Sequence, residues 1–223
     1  MGSRIRPGRG YLAAMATMSM NQIIHAAVRR DVARTEQALR SMADGDGPRA
    51  RQLQTAWRNL VRELTHHHEA EDDIVWPFLL SRGADEALMA AMEDEHVAMK
   101  EALTSASRAI DGVVADPSRA TAEAAADVIA GARTVIDNHL DHEEREAEPL
   151  IAGLEDDPEW KARAKRMRPQ AIRDAGSALA WMQDGAGPQE LAALRATIPG
   201  PVVSIVTKVF GRRYTREIAP TWR

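Results

Sequence analysis

The sequence contains no cysteine. That absence excludes a disulfide framework, a thiolate zinc site and a cysteine-bound cluster, so any metal must sit on nitrogen and oxygen donors. It also fits a reducing cytosol. Aromatic residues make up only 4% of the chain, while alanine, leucine, glutamate and arginine are plentiful, a balance that favours helix. No stretch alternates polar and apolar residues with a period of two, so no sheet is expected. No run of about eighteen apolar residues occurs, so nothing is expected to span a bilayer.

What is present is a 223-residue chain, 44% hydrophobic and 28% charged, enough for one ordinary domain with an appendage. Its formal net charge of −4 is unevenly spread. Residues 19–155 carry 14 Lys+Arg against 26 Asp+Glu, a net of −12, and residues 156–223 carry 12 against 7, a net of +5. An acidic body with a basic tail predicts intramolecular docking rather than nucleic-acid binding. The first residues (Arg4, Arg6, Arg9, then Tyr11 to Met20) weakly resemble a secretory signal, but the apolar stretch is short and broken by Thr17 and Ser19. Residues 1–19 are therefore expected to form a disordered leader on a cytoplasmic protein.

Turn residues cluster at Asp44-Gly45-Asp46-Gly47-Pro48, Arg82-Gly83, Asp116-Pro117-Ser118 and Glu155-Asp156-Asp157-Pro158. The intervals between them, about 20–43, 49–82, 85–113 and 119–152, carry apolar residues at helical spacing. Leu53, Trp57, Leu60, Leu64, Ile74 and Phe78 form one stripe, and Val128, Ala132, Val135 and Leu150 another. Long amphipathic helices joined by short connections predict an all-α, up-down four-helix bundle over residues 20–155. Residues 156–223 read as a helical extension packing on it. A helix is expected over about 159–184, a shorter one from Gln189, and an amphipathic stretch from Val202 to Phe210. Trp160, Trp181, Val202, Val206 and Phe210 are its expected apolar contacts.

The chain also repeats itself. His67 is followed by Glu71 and Pro77, and His139 by Glu143 and Pro149, at the same offsets. His25 lies 42 residues before His67 and His96 lies 43 before His139. Each copy is a helix pair, and the pairs should face each other about a pseudo-twofold axis. His67 and Glu71 continue an apolar stripe, as do His139 and Glu143; His25 falls between Met18 and Val28, and His96 between Met92 and Met99. Every helix thus inserts an imidazole into the core, and two add a carboxylate one turn later on the same face. A lone histidine on such a stripe is usually a hydrogen-bonded core residue. Two carboxylates and four imidazoles buried at one level would cost several kcal/mol without a cation. Imidazole with carboxylate suits iron, manganese or zinc. Two carboxylates able to bridge a metal pair in a helix bundle favour iron.

At these residues the sequence resembles the hemerythrin-like (HHE cation-binding) family. The pattern H…HxxxE…H…HxxxE is met by His25, His67, Glu71, His96, His139 and Glu143, with Glu71-Asp72 and Pro77 echoed by Glu143-Glu144 and Pro149. The resemblance covers about residues 20–153. It implies two non-haem iron ions bridged by the glutamates and by an oxygen-derived group, capped by the histidines, and traffic in dioxygen, hydrogen peroxide or nitric oxide. The chain departs from the oxygen carriers of that family. Position 100 is Lys100 where they have a second histidine on the third helix, and HxxxE replaces a five-residue step to aspartate. Four histidines would then be shared evenly, with Glu93 as an additional candidate ligand, and reversible oxygen carriage gives way to peroxide chemistry or sensing.

His66, His68 and His142 lie off this ligand line, and all three are expected at the surface. No catalytic acid or base is evident beyond the ligands. The sequence leaves three functions open for a monomer or homodimer: catalase-like disproportionation of peroxide, sensing of gas, redox state or iron loading, and iron sequestration.

Overall fold

In a computed structural model, which describes residues 18–152, 154, 156–167 and 171–223, α1 (Met20–Arg40) begins at Ser19. The Gln22 N–H donates to the Ser19 hydroxyl and the Ser19 N–H returns a bond to the Gln22 side chain, a reciprocal cap. Residues 1–17 of the expected leader lie outside the described residues. A turn with Gly45 at a φ of 77° leads to α2 (Gly47–Ala70), capped by Asp46 with Pro48 in its first turn. α2 runs through a wide π-turn, Glu71–Val75, into α3 (Trp76–Ser81). After Gly83, at a φ of 86°, come α4 (Glu86–Ala115) and α5 (Arg119–His142). α5 passes through a second π-turn, Glu143–Ala147, into α6 (Glu148–Ala152).

The two prolines account for the two π-turns. Pro77 and Pro149 have no N–H to donate, and each ring crowds the carbonyl four residues back. The ladder loosens just before each ring, where the Trp76 N–H reaches the Glu71 carbonyl and the Glu148 N–H reaches that of Glu143.

α1 packs on α2 and α5, and α4 packs on the same two, which closes an antiparallel ring. The α2 stripe of Leu53, Trp57, Leu60 and Leu64 is buried as its spacing predicts. On α5 the stripe is rotated from the expected one. Val128, and Leu150 further on in α6, are each 38% exposed, and Ile129, Ala132, Ile136 and Leu140 face the core. Alanine covers several faces of this helix, so the larger isoleucines set the inward direction.

Where a single helix was expected over 159–184, the described residues form two, α7 (Pro158–Ala164) and α8 (Ile172–Gln183). α9 (Pro188–Thr197), α10 (Gly200–Phe210), α11 (Arg212–Glu217) and a final 3₁₀ turn, Ala219–Trp222, follow. α8 and α9 lie along α1. The buried Trp181 indole N–H donates to Asp31 Oδ2 at 2.9 Å. Arg30 donates to the carbonyls of Trp181 and Met182, and Arg34 to that of Asp184, satisfying the free C-terminal end of α8. Val202, expected to pack, is 46% exposed, and Val203 is buried instead. The charge argument for docking also runs in reverse. Among the described residues the ion pairs joining the two segments place arginine on the bundle and acid on the extension: Arg30–Glu190, Arg82–Asp157 and Arg82–Glu159. α7 lies at the bundle end, with Trp160 stacked on Phe78 of α3 at 5.4 Å. Among the described residues no single helix is long and apolar enough to cross a membrane.

Candidate metal centre

His25 on α1, His67 on α2, His96 on α4 and His139 on α5 turn inwards at one level, and none is more than 8% exposed. They lie between the main core and a smaller one built on Val75, Trp76, Leu79, Met89, Met92 and Ala147. Their Nε2 atoms meet in two pairs, His25 with His67 at 3.1 Å and His96 with His139 at 3.2 Å. Two nitrogens bound to one cation at about 2.1 Å stand roughly 3.0–3.4 Å apart, so each pair has the spacing of neighbouring ligands.

The carboxylates tie the pairs together. Glu71 places Oε1 at 3.2 Å from His67 Nε2 and Oε2 at 3.7 Å from His96 Nε2. Glu143 Oε2 lies 3.2 Å from His25 Nε2 and 3.7 Å from His139 Nε2. Each glutamate therefore faces one imidazole of each pair. Glu71 Oε2, Glu143 Oε2 and His68 Nε2 are buried without a hydrogen-bond partner. Such groups are rare and costly, and lone pairs converging on one level are what a cation would satisfy.

Outer contacts aim the rings. The Nδ1 of His25 donates to Glu144 at 2.8 Å, that of His96 to Asp72 at 2.7 Å, and that of His139 to Glu95 at 2.9 Å. A proton held on Nδ1 leaves the Nε2 lone pair facing inwards, the tautomer a metal requires. Arg29 braces Glu144 at 2.7 Å, Glu95 also accepts from His142 at 2.8 Å, and Asn21 donates to Glu143 Oε1 at 2.8 Å. In a regular α-helix consecutive residues point about 100° apart. The wider π-turn lets Glu71-Asp72 and Glu143-Glu144 both serve the centre, one acid at an Nε2 and the next at an Nδ1.

Burial lowers His67 to about 3, helped by the neighbouring imidazoles, and lowers His139 against the pull of Glu95. Both are thus neutral donors. Burial would lower His25 too, but its contacts with Glu143 and Glu144 raise it above the ordinary histidine value. Burial and then the Glu143 charge push Glu71 well above the usual carboxylate range. Burial acts on Glu143 in the same direction, but the close approach of His25 and the other imidazole charges outweigh it and hold that carboxyl low. The two carboxyls thus move in opposite directions, Glu71 up and Glu143 down, as expected for like charges held close together.

The six sequence-predicted residues are brought together at this one level. Donor atoms of His25, His67, Glu71 and Glu143 all lie within 4.8 Å of one another, as do those of His96, His139 and His68. Glu93 does not join them; it is exposed on α4, as is Lys100. His66 is exposed as expected and His142 is half-buried. His68 corrects the sequence reading: it was expected at the surface, and it is buried, stacked on His96 with ring centres 4.2 Å apart. Asp72, Glu144, Glu95 and Asn21 had no assigned role in the sequence. The only signal for the first two was their repeated place after each glutamate.

No curated protein and no solved structure matches the chain. Residues 24–151 match the family model described as the hemerythrin HHE cation-binding domain, over more than half of the sequence. With that match and this donor set, the chain belongs to the hemerythrin HHE cation-binding family.

Proposed function

We propose that this chain is a cytoplasmic non-haem di-iron protein that decomposes hydrogen peroxide and admits the related small molecules dioxygen and nitric oxide. The observation that supports it is the cross-linked donor set, in which Glu71 and Glu143 each face one imidazole of both histidine pairs. His25, His67, His96 and His139 would hold the two irons from either side, and the two glutamates would bridge them. Iron bound there would supply a two-electron couple and Lewis acidity towards a peroxide O–O bond. The protein's own part is to keep Nε2 lone pairs aimed inwards through Glu144, Asp72 and Glu95. Glu95, shared between His139 and half-buried His142, offers a route for protons between the inner imidazoles and solvent.

Elemental analysis of the purified protein should find about two irons per chain with a visible charge-transfer band, and an oxygen electrode should record evolution from peroxide. One zinc per chain and no colour would reject the di-iron reading. Iron and colour without oxygen evolution would favour sensing, which one further observation supports. α1 carries His25 and, six residues on, the Asp31 that holds Trp181 of the extension, so a change at the metal could reach α8 through one helix. Amide hydrogen exchange over 172–183 that alters on adding peroxide would then be the expected signature.

A further inference from the structure

His68 is the one buried imidazole at this level without an assigned task. It is 8% exposed, and its Nε2 is buried with no hydrogen-bond partner. Its ring stacks on His96 at 4.2 Å and meets His139 edge-on at 5.4 Å. His96 is already oriented by Asp72, so a stacking role alone would leave an unsatisfied polar atom where an apolar ring would serve better. The donor atoms of His68, His96 and His139 lie within 4.8 Å of one another, like those of the other group.

We propose that His68 is a metal ligand, which makes the two metal positions of the centre unlike. One would be held by three imidazoles, His68, His96 and His139, and the other by two, His25 and His67, with Glu71 and Glu143 serving both. This rests on the two-metal reading above and adds to it the unequal division of donors.

The test uses the full chain stripped of metal and titrated with Co(II), followed by its visible absorption and by competition with a chelator. The wild type should take up two Co(II) in two distinguishable steps. His68→Ala, and His68→Phe as the variant that keeps the ring packing, should retain one tight site and weaken the other by more than roughly 100-fold. That exceeds the roughly 10–100-fold expected for losing an outer partner of a ligand. Imidazole added at millimolar concentration should restore the His68→Ala site, and His66→Ala should behave as wild type. Two unweakened sites with an unaltered spectrum in both His68 variants would overturn the assignment. Uptake of fewer than two Co(II) by the wild type would instead overturn the two-metal reading, and this inference with it.

Discussion

Replacing Asp31 by asparagine separates the anchoring of the extension from the metal chemistry. Asp31 is 1% exposed on α1, accepts from the Trp181 indole at 2.9 Å and lies 3.3 Å from Arg34 NH1. Burial pushes its carboxyl up from 3.8 to about 6, against the Trp181 bond and the charges of Arg30 and Arg34, with Asp184 adding to the rise. The folded state therefore binds the proton more tightly than the unfolded chain. Between about pH 4 and 6 it holds more protons, so unfolding free energy falls as the pH rises through that window. A shift of roughly two units corresponds to about 3 kcal/mol, lost by the wild type once the pH is above the folded value. Asparagine keeps an oxygen for Trp181 and cannot ionise. Urea unfolding of both proteins with metal chelated, from pH 4 to 7.5, should show the stability difference moving by about 3 kcal/mol in favour of Asp31→Asn. Groups that titrate in both proteins cancel in the subtraction. A pH-independent difference would mean that Asp31 has no raised pKa. A change of opposite sign would mean that Arg30 and Arg34 outweigh burial.

Glu71→Ala and Glu143→Ala should each release both metals, whereas His25→Ala or His96→Ala should leave partial occupancy; iron content after gel filtration decides this. A chain ending at residue 155 should still bind two irons, since all seven candidate ligands precede the cut, but should melt lower and react faster with azide or peroxide. Equal melting temperature and anion-binding rate would make the extension a partner-binding arm instead. At Gly176 an added Cβ would lie 2.5 Å from Phe210 Cβ and 2.6 Å from its carbonyl carbon. Gly176→Ala should therefore push α10 off α8 and lower stability by about 1–3 kcal/mol in thermal unfolding, with iron content unchanged.

The helices and the level of the centre could be read from the sequence because both follow from local rules. Turn residues end helices, and a polar residue on an apolar stripe must face the core. The same rules failed where the information is not local. Glu144 reaches His25 across 119 residues, and nothing near either one announces it. His68 aligns with Leu140 in the repeat, so internal symmetry argued against the very residue that breaks it. Glu93, the additional candidate ligand, lies three residues before His96, and α4 turns it to solvent. On α5 the abundance of alanine blurred the stripe, and the inward face was misjudged while His139 itself was placed inwards correctly. The π-turns had a signal, the proline six residues after each glutamate, but its structural meaning appears only with the hydrogen bonds that the ring displaces.

The repeat explains more when its contacts are followed across the halves. Each half makes its own imidazole pair, His25 with His67 and His96 with His139. Neither half completes that pair alone. Glu71 of the first half reaches His96 of the second, and Glu143 of the second reaches His25 of the first. The orienting acids cross in the same way, Asp72 to His96 and Glu144 to His25. A cation bound to either pair is thus held by both halves, and its binding free energy is also free energy of their association. At a thousand times its dissociation constant a ligand of the folded state adds about 4 kcal/mol to stability. That is comparable with the cost of leaving two carboxylates and several imidazoles desolvated at the centre of the bundle. The polar centre that weakens the bare bundle is, with metal bound, what joins its two halves.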